Sequence, residues 1–309
     1  MRRVLQILNH RDFILTLALV TGFVIGDHSR FLAEISVYIL GVVMIFATTG
    51  FSFGNWWPVK KVLKPVGWSV LLNYIVFGLT IVLCGWFVFG TEPYFPYFIG
   101  IVLLAAAPPG PSIIPFSTML QGDDHFSVTG VFALQLLAMV LAPLILFLVL
   151  GMELINPFGF FEIMVKLVLI PLAVSRVLRH PKLVKPVNSM RDNVIKWGFF
   201  LVIVPITGMS AEIFFSEPIP LIGISAILIF AMYGIGFGYH IVMNKLGYPR
   251  PFLVSSTLML TTKSSAFAAV VAFTFFAGNP EVALPAAVTS VLVTVFAIVY
   301  SRFLKIPGL

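Results

Sequence analysis

One lysine, Lys263, stands inside an apolar segment, with Thr257-Leu258-Met259-Leu260 before it and Ala266-Phe267-Ala268-Ala269 after it. Around it the chain reads Thr261-Thr262-Lys263-Ser264-Ser265, five polar residues in a row. A cation there can draw in a solute anion, or it can occupy the place of a bound metal cation. It lies about 12 residues from either end of the segment, at about 1.5 Å per residue. A lysine stem reaches only about 6 Å, so the ammonium cannot snorkel to an interface. A charge at mid-membrane costs about 2.5–3.5 kcal/mol on insertion scales. No acidic residue sits at mid-depth of any other apolar segment, so the sequence offers no standing partner. Three arrangements meet the cost: a lysine neutral part of the time, one paired with an anion that comes and goes, or one held by backbone carbonyls. The first two are functional and are the expectation; the third is the structural alternative.

A second constellation is Ala107-Pro108-Pro109-Gly110-Pro111-Ser112, with Pro115 one turn on. Proline removes a backbone donor and collides with the preceding turn, so this stretch cannot continue an α-helix. Non-helical backbone at membrane depth is tolerated only where protein buries it or it lines a wet cavity. The two interrupted stretches, about 155 residues apart, occupy matching places in the two halves of the chain. Such a pair is the strongest sequence pointer to a transport site. Proline kinks, with serines bonding back to their own helix, are the alternative.

Other polar residues carry blander expectations. The neighbouring carboxylates Asp123 and Asp124 precede a helix and are read as its cap. Asn73, Gln135 and His240 are read first as helix–helix hydrogen-bonding residues. Lys166 follows Glu162 by one turn and suits a local ion pair. Trp56 and Trp57 suit an interfacial belt. The single cysteine, Cys84, lies in an apolar stretch and is read as a small hydrophobe. There is no phosphate-binding glycine loop with a following lysine, no His/Cys cluster and no nucleophile–histidine pattern. The expectation is therefore no enzyme, no catalytic residue, no cofactor and no metal centre.

The elements that must position these residues follow from composition. Of 309 residues, 60% are hydrophobic and 10% charged, against about 25% charged in a soluble domain. Lipid must be the solvent for most of the outside. Apolar runs long enough to span fall near 12–27, 34–52, 66–90, 97–121, 125–150, 158–179, 193–212, 218–244, 251–276 and 282–304. The first run ends in Gly26-Asp27-His28 without a small-residue cleavage site, so it is read as a span and not a leader. Basic residues separate cleanly with ten spans and both termini cytoplasmic. One side collects Arg2, Arg3, Arg11, Lys60, Lys61, Lys64, Arg176, Arg179, Lys182, Lys185, Arg191, Lys196, Lys245, Arg250, Arg302 and Lys305; the other holds Arg30 with Glu34, Glu92, Glu153, Glu212, Glu217 and Glu281. The net charge of +7 thus reports membrane orientation in a cell (inner) membrane and does not imply nucleic acid. The expected fold is an all-α membrane protein of ten transmembrane helices in two inverted five-helix repeats, 1–155 and 156–309, with helices four and nine discontinuous.

On these stretches the chain resembles the bile acid:sodium symporter family, within the wider group of bile acid, arsenite and auxin carriers. Pro108-Pro109-Gly110-Pro111-Ser112 is similar to the family's Pro/Gly-rich break in helix four. Met164 to Pro171 is similar to the start of helix six, Gly234-Ile235-Gly236-Phe237-Gly238 to helix eight, and Lys263-Ser264-Ser265-Ala266-Phe267-Ala268-Ala269 to the break in helix nine. The resemblance implies a panel of spans 1, 2, 6 and 7, a core of spans 3–5 and 8–10, discontinuous helices four and nine crossing at mid-membrane, and substrate binding in the crevice between panel and core. Its departures concern sodium. Where the family has a Ser-Asn pair after the first break this chain has Ile113 and Ile114; where it has a helix-nine glutamate, Met259; where it has a glutamine four residues on, Lys263. Asn73 and Ser127 stand at two further polar positions and remain candidate ligands of substrate or ion.

The reading is a secondary transporter of a small organic anion or similar solute by alternating access, independent of sodium, with Lys263 in the place of the cation. Coupling to protons is open. The candidate binding set is Lys263, Ser264, Ser265, Thr261, Thr262, Pro109, Gly110, Ser112, Asn73 and Ser127. Two alternatives stand beside it: a sodium-coupled symporter with unfamiliar ligands, and a membrane sensor that transports nothing.

Overall fold

The computed structural model describes residues 11–49, 60–151 and 157–304; Trp56 and Trp57 lie outside them. The described residues are all helical apart from turns, with one isolated antiparallel bridge between Pro109 and Lys263. In chain order the elements are α1 (Arg11–Ile25), α2 (Arg30–Thr48) and α3, a continuous run through Lys60–Val70, Leu71–Gly78 and Leu79–Phe89. Then come α4 (Phe95–Ala106), α5 (Ile113–Met119), α6 (Asp124–Leu150) and α7, running through Pro157–Met164, Val165–Leu169 and Ile170–Leu178. After these follow α8 (Val184–Ser216), α9 through Pro218–Ile229, Phe230–Ile235 and Gly236–Lys245, α10 (Arg250–Thr261), α11 (Ser265–Phe275) and α12 (Leu284–Phe303). The middle stretches of α3, α7 and α9 are π-helical.

Seven of these runs are long and apolar enough to cross a membrane, and three more apolar runs are shorter: Thr16–Ile25, Phe95–Ala106 and Ser265–Phe275. The difference from ten uniform spans has a physical source. The fourth apolar stretch is divided by its prolines into α4 and α5, the ninth is divided into α10 and α11, and the described helix of the first covers 15 residues. A second difference concerns the basic stretch 180–196 between the sixth and seventh apolar runs, which the sequence reading takes as a loop. It is not all loop, because α8 is one helix from Val184, extending beyond its apolar part with Lys185, Arg191 and Lys196 on it. Pro186 falls in its first turn, where a missing N–H costs nothing.

Burial separates two kinds of helix. Every residue of α4 from Tyr97 to Ala106 is buried, as are α10 from Leu253 to Thr261 and α11 from Ala266 to Ala272. Helices apolar on all sides and buried on all sides lie at the centre of the molecule. The surrounding helices turn large apolar groups outward: Val24, Phe87 and Leu148 are 80%, 86% and 71% exposed. In a chain of this composition these are lipid-facing groups. α8 packs along α1 and α2, and α7 packs on α2. The α1–α8 contact is close enough that a methyl on Gly22 would meet the Thr207 side chain and the Val204 carbonyl, so only glycine permits it. The two broken segments meet α3, α6 and α12, with α11 also touching α2 and α8, and there the site is formed.

Candidate transport site

The two breaks pair with each other. After α4 the backbone turns extended at Ala107 (φ −60°, ψ 144°), and after α10 at Thr262 (φ −112°, ψ 110°). The extended pieces run antiparallel: Pro109 bridges Lys263, and the Ser264 N–H donates to the Pro108 carbonyl at 2.9 Å. Each break thus satisfies part of the other's backbone, which is what permits non-helical chain in a buried place. Beyond the second break Ser264 caps α11, its hydroxyl accepting from the Phe267 N–H at 3.3 Å.

A helix end leaves its last carbonyls without partners, and it carries about half a negative charge. The prolines at 108, 109 and 111 have no N–H to offer the end of α4. Lys263 supplies the donors instead. Its Nζ donates to the carbonyls of Ala105 at 2.7 Å and Ala107 at 2.9 Å, and lies 4.1 Å from the centre of the Tyr74 ring. The residue is 2% exposed, and it makes no ion pair among the described residues. Hydrogen bonds from a charged donor are worth about 1.5–3 kcal/mol each, and a cation over a desolvated ring about 2 kcal/mol. Their sum is comparable to the several kcal/mol lost when an ammonium leaves water. These are the contacts of a lysine held by carbonyls of the broken fourth segment.

The end of α10 is treated in parallel, by a neutral group. Asn73, in the π-helical stretch of α3, donates through Nδ2 to the carbonyls of Met259 at 2.9 Å and Thr262 at 3.4 Å. Its Oδ1 has no partner among the described residues, and neither do the buried hydroxyls of Ser69, Tyr74 and Ser127. Met259 is fully buried, and its side-chain methyl and the Ser69 hydroxyl both pack against Gly130 of α6.

A small cavity of about 60 Å³ opens beside the crossing. It is lined by Gly110 and Ser112 of the first break, Lys263, Ser264 and Ser265 of the second, and Ser290 of α12, with Phe116, Phe199 and Ile203 as apolar wall. Of the residues singled out in the sequence, five therefore line one cavity. Pro109 and Thr262 belong to the crossing itself, and Asn73 braces it from α3. Two do not join: the Thr261 hydroxyl donates to the Thr257 carbonyl of its own helix, and Ser127 is buried within α6 away from the cavity lining. Sequence reasoning missed Tyr74, Ser290 and Phe199, and no local pattern marks them.

The blander expectations can be located too. Asp123 caps α6, accepting from the Phe126 N–H at 3.0 Å. His240 joins Thr257 at 3.3 Å and Tyr300 at 2.8 Å, holding α9, α10 and α12 together. Lys166 pairs with Glu162 at 2.7 Å. Gln135 lines a tight gap between α2, α6 and α7, and Cys84 is a free, half-buried thiol.

The model of the sodium bile acid symporter family matches residues 37–215, more than half of the chain. The matched stretch holds the first break, Asn73 and Ser127; the second break, with Lys263, lies beyond it. No curated protein matches the chain.

Proposed function

The chain belongs to the sodium bile acid symporter family, and from that premise we propose that it carries a small organic anion or similar solute across the membrane without sodium, the ammonium of Lys263 holding the charge of the missing cation. It is a solute transporter of this family's type and not an enzyme. The observation that carries the proposal is the pair of hydrogen bonds from Lys263 Nζ to the Ala105 and Ala107 carbonyls. A bound cation at a helix C-terminus neutralises its dipole and fills orphan carbonyls; a tethered ammonium does both and never leaves.

Ten spans in two inverted halves, 1–155 and 156–309, is the reading the elements support best. Seven long runs and three shorter ones add to ten apolar stretches when α4 and α5 are counted as one span, as are α10 and α11. The breaks correspond between halves, and so do the π-helical stretches Leu71–Gly78 and Phe230–Ile235. The packing of α1, α2, α7 and α8 supports a panel, and that of the remaining helices a core. The distribution of basic residues supports cytoplasmic termini in a cell (inner) membrane.

The test is uptake into proteoliposomes with sodium replaced by choline. Wild-type uptake is expected to be unchanged, and Lys263→Met uptake to be lost; an imposed pH gradient reads out proton coupling in the same vesicles. Sodium-dependent uptake by the wild type would refute the proposal. The sodium-coupled alternative has one observation in its favour, the unpartnered oxygens of Asn73 and Ser127, and it predicts stabilisation of the purified protein by sodium over choline.

A further inference from the structure

A larger cavity, of about 360 Å³, lies away from the crossing, between α2, α7, α8 and the far end of α11. Its size is that of a small-molecule pocket. The wall includes Ile163, Met209 and Phe273, and its charged groups are Arg30, Glu34 and Lys166. Lys166 is already held by Glu162 at 2.7 Å, so its charge is met locally. Arg30 and Glu34 are different. They stand four residues apart on the first turns of α2, both exposed, and neither makes an ion pair among the described residues. Side chains at that spacing lie on one face, about 5–6 Å apart at Cβ. Among the described residues, the cavity therefore presents one open cation and one open carboxylate beside an apolar wall.

We propose that this cavity takes a zwitterionic solute with an apolar body, its acid group on Arg30 and its ammonium on Glu34. A purely anionic solute would face the Glu34 carboxylate with nothing to offer it, and like charges brought together are what selects against wrong ligands. The ammonium of Lys263 is not available for this work, since its donors go to Ala105 and Ala107. The recognition of charge would thus sit at the crevice and not at the crossing. The inference rests on reading the chain as a carrier and names the class of its substrate as an organic acid that also carries a positive charge.

Three probes with one apolar body separate the possibilities: leucine, 4-methylpentanoate, which lacks the ammonium, and 3-methylbutylamine, which lacks the acid. Their effect on the thermal stability of the purified full chain is measured in choline buffer, so the result depends neither on sodium nor on transport. Leucine is expected to stabilise most. Glu34→Gln is expected to remove the advantage of leucine over 4-methylpentanoate, and Arg30→Gln to weaken both acids about tenfold while leaving the amine unchanged. Both substitutions are at exposed positions, and the unliganded melting temperatures of the variants check that they fold. A wild type that prefers 4-methylpentanoate, or responds to none of the three, or ranks them the same with Gln at position 34, overturns the inference. None of these outcomes bears on whether uptake needs sodium.

Discussion

If Lys263 is a tethered replacement for a bound cation, cutting the tether should leave a site that a free ammonium can fill. Lys263→Ala removes two hydrogen bonds from a buried charged donor, at 2.7 and 2.9 Å, worth about 3–6 kcal/mol together. It also removes the desolvation of the ammonium, several kcal/mol in the opposite sense. The change in stability is thus a small difference between larger numbers, and its sign decides nothing. What the variant leaves is more informative: the carbonyls of Ala105 and Ala107 without donors, the Tyr74 ring below them, and an enclosed space shaped for an alkylammonium. Ethylammonium has the N–H groups to donate to both carbonyls; tetramethylammonium carries the same charge and has none. A ligand that binds only the folded state at ten times its Kd stabilises by about 1.4 kcal/mol, a few degrees in Tm for a chain of this size. The assay is a thermal melt of purified Lys263→Ala protein against each chloride salt, with wild type as control. Ethylammonium is expected to raise the Tm of the variant and to leave wild type unmoved. Equal stabilisation by tetramethylammonium would mean that general screening, and not carbonyl ligation, is at work. No stabilisation by ethylammonium, together with wild-type uptake by the variant, would refute the cation-replacement argument.

Two further outcomes test how the crossing is held. Ser255 of α10 bonds the Ser117 hydroxyl at 2.7 Å, accepts from the Asp123 N–H at 2.7 Å and donates to the Asp123 carbonyl at 3.0 Å; Ser255→Ala should lower stability by about 1–3 kcal/mol, measured by thermal or denaturant unfolding, because it unties the ends of α5 and α10 from the start of α6. Gly100→Ala should destabilise by about 1–3 kcal/mol, since a methyl on this face of α4 would run into the Val282 carbonyl and lie 2.9 Å from the Pro285 ring; an unchanged melting temperature would mean that α4 can shift against the turn before α12.

The broken segments were legible in the sequence because they offend local rules. Three prolines in four residues cannot be helix, and five polar residues at mid-depth cannot face lipid. That helices four and nine cross is what the family resemblance implies and no local rule states; Pro109 and Lys263 are where the two breaks touch. The bearing of Lys263 was not legible. Its partners are main-chain oxygens of two alanines, and a carbonyl acceptor leaves no trace in residue identity. Tyr74 escaped for a related reason: a ring beneath an ammonium is placed by the rotation of α3 about its axis, which the π-helical stretch Leu71–Gly78 alters by a fraction of a turn. The same stretch brings Asn73 to the end of α10, so one irregularity in α3 sets both contacts.

The two ends that meet at the crossing need not be alike, and their difference bears on mechanism. The carbonyls of Met259 and Thr262 at the end of α10 are met by a neutral amide, and those of Ala105 and Ala107 at the end of α4 by a charged amine. An amide satisfies the carbonyl acceptors without cancelling the helix dipole; an ammonium does both. On the proposed reading the crossing holds one fixed positive charge beside two negative helix ends, roughly what a single bound monovalent cation would provide. A carrier whose core must be charge-compensated before it moves would then be compensated always, and only the solute would be left to decide when it crosses. That is the behaviour of a uniporter or exchanger, and counterflow without any ion gradient is where it would be seen.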